Sequence, residues 1–90
     1  PIEQRTFTGK MVHSIGLGAL MVCLAEEIKR AEVESLAQGI LEWWRELAPA
    51  VPVQFVFRDS SFIDDVAKTN LAAILEQNIP SDQLAGIRSL

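Results

Sequence analysis

Two short apolar runs, Ala-Leu-Met-Val-Cys-Leu at 19–24 and Val-Gln-Phe-Val-Phe at 53–57, flank a segment whose apolar residues recur at helical spacing. That arrangement restricts the fold more than any other feature of the chain. Val33, Leu36, Ala37, Ile40, Leu41, Trp44 and Leu47 fall on one helical face and predict a helix over 31–48. Glu32 and Glu34 lie in its first turn, where the helix dipole favours acids, and Pro49 and Pro52 bracket its end. An unbroken apolar run of this length suits a strand buried on both faces, although Ala, Leu and Met in the first run suit a helix as well. Two strands joined through a helix imply a right-handed crossover and a parallel sheet.

The rest of the chain extends the same scheme. Residues 6–15 (TFTGKMVHSI) are rich in β-branched and aromatic types and roughly alternate, so they predict a strand, and Gly16 and Gly18 predict the turn after it. A second helix is expected over 62–77, with Ser61 and Asp64 matching a capping box and Asp64 and Lys68 spaced for an i,i+4 ion pair. Asn78 and Pro80 end it, and Gly-Ile-Arg-Ser-Leu at 86–90 predicts a closing strand. The expected fold is a single small α/β domain over 1–90, of order ββαβαβ, with a mostly parallel sheet and two helices. The chain begins at Pro1 without a Met, which reads as the boundary of a fragment of a larger protein.

Composition removes several function classes. Ninety residues allow one domain, and 49% hydrophobic residues supply a core that a disordered segment would lack. The net charge is −4 and the eight basic residues are scattered, whereas an autonomous nucleic-acid module presents a basic face. The apolar stretch 15–25 is too short to span a bilayer and sits away from the N-terminus, so neither a membrane span nor a signal peptide is expected. A lone cysteine, Cys23, excludes an internal disulfide and fits a reduced cytoplasmic compartment.

In open α/β sheets, functional groups gather at the carboxyl ends of strands. The polar cluster in that position is Arg58-Asp59-Ser60-Ser61, running into Asp64 to Asn70. Read functionally, Arg58, Asp59, Ser60, Asp65 and Lys68 form a binding or catalytic loop at a helix N-terminus. Read structurally, they cap a helix and make a solvated charge pair, the commoner use of such residues. Asn70 lies between Ile63, Ala67 and Ile74 on the helical wheel, so a buried, hydrogen-bonded amide is expected, with a ligand or partner contact as the alternative. Trp43, one position off the core stripe that holds Trp44, is either an exposed interface anchor or a residue packed on the sheet edge. Gly16-x-Gly18 lacks the third glycine of a dinucleotide fingerprint, Met21 standing in its place, and reads as a turn. His13 is the sole histidine, which with one cysteine gives no zinc set and no argued nucleophile–base pair, so it reads as a strand residue.

Phe-Thr-Gly-Lys-Met-Val at 7–12, Gly-Leu-Gly-Ala-Leu-Met-Val-Cys-Leu-Ala-Glu at 16–26 and, most specifically, Val-Phe-Arg-Asp-Ser-Ser-Phe-Ile-Asp-Asp-Val-Ala-Lys-Thr-Asn at 56–70 resemble the C-terminal end of site-specific adenine DNA methyltransferases. The relatives concerned are the modification subunits of type III restriction-modification systems, and the closing Ile-Arg-Ser-Leu is similar to their terminus. The resemblance covers nearly the whole chain. It implies a parent enzyme that transfers a methyl group from S-adenosylmethionine to adenine N6. The D-P-P-Y and F-x-G-x-G motifs of such enzymes do not occur in this sequence, so no catalytic, cofactor-binding or metal residue carries over and no cofactor is implied for the chain itself. The implied role is a non-catalytic C-terminal domain, with the rest of the methyltransferase polypeptide, a second copy or the restriction subunit as partners, and DNA reached only through the parent complex. The alternatives are an independent α/β interaction or regulatory domain anchored by Trp43, and a stand-alone enzyme using Asp59, Ser60 and Lys68.

Overall fold

A computed structural model describes residues 2–7, 10–47, 51–58 and 64–89. Five strands form one sheet: β1 (Ile2–Phe7), β2 (Lys10–Leu17), β3 (Leu20–Ala25), β4 (Val53–Phe57) and β5 (Leu84–Ser89). A 3-10 turn at Arg30–Glu32 leads into α1 (Val33–Leu47), which joins β3 to β4, and α2 (Asp65–Asn78) joins β4 to β5. The fold is α/β, and from β2 onward the elements follow the expected order ββαβαβ. The strands connected through helices, β3, β4 and β5, are parallel, while β1, β2 and β3 pair antiparallel.

The strand expected over 6–15 is a hairpin of two strands, with Phe7 in register with Lys10. The alternation continues through both arms, so the pattern alone does not reveal the reversal between them. Gly16 lies inside β2, and the β2–β3 turn is Gly18-Ala19, where Gly18 has φ +61, a left-handed conformation that favours glycine. The second helix begins at Asp65 rather than at 62; Ser61, Phe62 and Ile63 lie outside the described residues. Its N-cap is Asp64, whose carboxylate accepts a hydrogen bond from the Ala67 backbone N–H at 3.0 Å.

The strand order equals the chain order, β1 to β5. Two successive right-handed crossovers in the same direction across a sheet put both helices on one face. Core composition agrees: Cys23 and Ala25 of β3 and Val53, Phe55 and Phe57 of β4 share one buried cluster with Leu36, Ile40, Leu41 and Trp43 of α1 and Ala67, Leu71 and Leu75 of α2. Fully burying one such aliphatic side chain stabilises by about 1.5–3 kcal/mol. Ile28 and Ile79, in the connections, close the two ends of this core.

One expectation about a side chain is corrected here, for Asn70, and the two readings of Trp43 are decided in favour of the packed one. Asn70 is exposed, because the buried stripe of α2 runs through Ala67, Leu71 and Leu75 and places position 70 about 100° from its centre. Trp43 is buried at 2% exposure, and its neighbour Trp44 is half-buried. The reason is the additional strand: α1 reaches as far as β1, so sheet lies beneath the helix flank that carries Trp43.

Candidate interaction site at the strand ends and the open sheet face

Parallel strands deliver their following loops to one edge of the sheet, and here those loops are bound to each other. The Arg58 backbone N–H donates to the Ala25 carbonyl at 3.1 Å, and the Asp64 N–H donates to the Ile28 carbonyl at 3.2 Å. Side chains repeat the connection. Arg58 Nη1 donates to Glu26 Oε1 at 3.0 Å, joining the end of β4 to the end of β3. Arg30 Nη2 lies 3.2 and 3.1 Å from the two Asp64 oxygens, joining the turn before α1 to the cap of α2. The Ala67 backbone N–H and then the Arg30 guanidinium hold the Asp64 carboxyl below its ordinary range, against a partial desolvation that pushes it up. The Asp64–Lys68 pair expected from spacing is replaced by Asp65–Lys68, at 3.5 Å.

The residues singled out in the sequence therefore divide. Arg58 stands at the strand end and is ion-paired and exposed. Asp59 and Ser60 lie outside the described residues. Asp65 is exposed in the first turn of α2 and holds Lys68. Asn70 points to a 510 Å3 groove between the helices, beside Arg30, Glu34, Ile74 and Gln77. Trp43 belongs to the core. The structure brings Arg58, Asp64 and Asp65 to one end of the sheet together with Glu26 and Arg30, which the sequence reading did not single out. The spacing of Glu26 and Arg30 just beyond β3, at the same edge as Arg58, was the available signal.

The chemistry of this cluster is that of mutually neutralised charges. Exposed pairs of this kind contribute about 0–1 kcal/mol each. Among the described residues no group of three His, Cys, Asp or Glu side chains is placed to hold a metal ion. Burial pushes the Cys23 thiol far above its ordinary range, so it is a core residue and not a nucleophile. His13 lies in β2, in register with Gln4 of β1 and Leu24 of β3. Gly16 and Gly18 belong to a β-hairpin, not to the strand-to-helix junction that cradles a dinucleotide phosphate.

The face of the sheet opposite the helices is a second candidate surface. By register it presents Ile15 of β2, Leu20, Val22 and Leu24 of β3, and Gln54 and Val56 of β4, with Arg88 of β5 at its side. Ile15, Leu20, Val22 and Leu24 are half-buried, and Val56 is buried although it lies outside the helix-side core. Apolar residues thus occupy both parities of β3. The continuous run at 19–24 suits a strand buried on both faces, and among the described residues the two helices cover one of them. No helix among the described residues is long and apolar enough to cross a membrane. No protein family and no curated protein matches the sequence.

Proposed function

We propose that the chain is the non-catalytic C-terminal domain of an adenine-specific DNA methyltransferase of a type III-like restriction-modification system, serving assembly or partner contact in the cytoplasm. The observation that carries the partner-contact role is the half-buried apolar row of Ile15, Leu20, Val22 and Leu24 on the sheet face that neither of the two described helices covers. Contiguous apolar surface of this kind marks contact with protein. By register no acidic residue stands at the described strand positions of this face, and Arg88 lies at its side, which suits an uncharged protein surface better than a phosphate backbone. The motif resemblance over 56–70 supplies the identity of the occupant, the methyltransferase body of the same polypeptide. Arg58, Asp64 and Asp65 then act as the polar staple that fixes the loops at the strand ends, and S-adenosylmethionine belongs to the parent enzyme.

The same face, taken without the resemblance, supports a second reading, an independent α/β protein-interaction or regulatory domain. Trp43 is not its anchor, because Trp43 is buried. The decisive experiment is to sequence the gene upstream of the Pro1 codon. An in-frame D-P-P-Y and F-x-G-x-G pair is the expected result. An upstream frame that encodes neither motif overturns the methyltransferase reading and leaves the independent domain. Methyl transfer to DNA by the purified 90-residue chain would equally contradict a non-catalytic role.

A further inference from the structure

Among the described residues β5 lies at the edge of the sheet, paired on one side only. A strand in that position carries backbone N–H and C=O groups along its free edge, ready to pair with another chain. β5 is not a uniform template. Ala85 is an extra residue between Leu84, in register with Val53, and Gly86, in register with Gln54, and Gly86 has φ +150. A bulge of this kind bends an edge strand and interrupts its ladder. The regular part of the edge is therefore confined to Ile87, Arg88 and Ser89.

Beside that short stretch runs a groove of 340 Å3 between β5 and α2. Its apolar side is made by Phe57, Ala72 and Ile87. Charges stand at its two ends: Lys68 and Arg88 at the end nearer the start of α2, and Glu76 two helical turns further along. Lys68, half-buried, shares its charge with the exposed Asp65 at 3.5 Å. Arg88 and Glu76 have no ion-pair partner among the described residues and are exposed. Addition of one extended segment to an exposed edge strand, with its alternate side chains in neighbouring pockets, is a recurring mode of peptide recognition.

We propose that the β5–α2 groove binds a short extended segment of a partner polypeptide as a sixth strand, with one aliphatic side chain between Ala72 and Ile87, an acidic residue at the Lys68–Arg88 end and a basic residue at the Glu76 end. The bulge limits pairing to about three residues of β5, so the contact is short and reversible. The charges at the two ends choose the segment and set its direction. Continuing the parallel arrangement of β3, β4 and β5 places the acidic residue toward the segment's C-terminal end. This groove lies at the sheet edge and shares with the open face only Arg88, which borders both, so Ala72→Trp is the variant that separates the two surfaces; the inference stands whether or not the chain comes from a methyltransferase.

The test uses the whole 90-residue chain and two blocked peptides. Each has a Val-Thr-Val centre; one carries Lys before it and Glu after it, and the other has the two charges exchanged. Amide NMR spectra of the labelled protein are recorded during titration. The expected result is saturable shifts at Ile87, Arg88, Ser89 and Ala72 with the first peptide, at a Kd on the order of 10⁻⁴ M, and at least tenfold weaker binding of the second. Arg88→Glu is expected to weaken the first peptide at least tenfold and to improve the second. Ala72→Trp, which fills the slot, is expected to abolish binding while the thermal melt confirms a folded protein. No saturable shift with either peptide, or shifts at the open face in place of β5, overturns the proposal. Binding that ignores both Arg88→Glu and Ala72→Trp overturns it as well.

Discussion

Leu71 and Asn70 are adjacent in sequence and opposite in environment, and the contrast can be measured. Leu71 is fully buried at the centre of the α2 stripe, between Ala67 and Leu75 and against the sheet-side core. Leu71→Ala removes the side chain beyond Cβ from a packed site, and such substitutions cost about 2–5 kcal/mol through lost transfer energy and the cavity left behind. A chain of this size unfolds with an entropy of about 2.1 cal/mol/K per residue, or about 0.19 kcal/mol/K in total, so a loss of about 3 kcal/mol lowers the melting temperature by about 15 °C. The total stability to draw on is about 5–13 kcal/mol, so the variant remains folded at room temperature but sits close to its limit. Asn70→Ala removes no buried contact and installs a better helix former, so its expected effect is within about 0.5 kcal/mol, or under about 3 °C, and in the stabilising direction. Far-UV circular dichroism melts, checked by urea titration, report both values. A loss above about 2 kcal/mol for Asn70→Ala, or a small loss for Leu71→Ala, would refute the assignment of the buried stripe and restore the amide to the core.

Trp43→Ala is expected to destabilise by about 3–5 kcal/mol, as for a buried aromatic, and a near-neutral result would return Trp43 to the surface. Cys23 is expected to react with a thiol reagent only through opening of the fold, at a rate that rises with urea in step with unfolding; rapid labelling of the native protein would contradict its burial. The Asp64 carboxyl is held below its ordinary value, so the stability it adds is fully present above the unfolded value of about 3.9 and is lost as pH falls through the lower folded value. Asp64→Asn keeps a cap acceptor and removes the charge. Its melting temperature should therefore lie below that of the parent chain at neutral pH and converge with it toward about pH 2, and a gap that ignores pH would refute the charge contribution.

Much of the fold was legible because α1 and the buried strands obey simple periods. The apolar positions of α1 segregate sharply, and its predicted start differs from the observed one by two residues, while the predicted end at Ala48 lies outside the described residues. α2 is a weaker signal. Alanines at 67, 72 and 73 blur the boundary between its faces, and the wheel reading chose the wrong phase by roughly one position, which was enough to bury Asn70 on paper. The hairpin at the N-terminus was unreadable for a different reason: both arms alternate, and periodicity carries no sign of where a chain reverses. Trp43 followed from that omission, since the burial of a helix flank depends on how many strands lie beneath it. At the strand ends, Arg58 was legible because it follows an apolar run directly, and Asp65 because it lies near the start of a predicted helix. Glu26, which pairs with Arg58, and Arg30, which pairs with Asp64, come from the other crossover, and a sequence does not say which distant charges will meet.

Because the strands lie in the sheet in the order they are synthesised, no strand has to insert between two others. A chain emerging from the ribosome can set down β1, fold β2 and β3 back upon it through tight hairpins, and then add one crossover at a time at a single advancing edge. At every stage that edge is the most recently placed strand, so β3 and then β4 spend time as unprotected, strongly apolar borders before their neighbours arrive. The last described strand, β5, is a border that is bent and carries an arginine. Folding thus closes by covering its stickiest intermediate edges with its least sticky one, and a chain stopped before β5 would be expected to aggregate through β4.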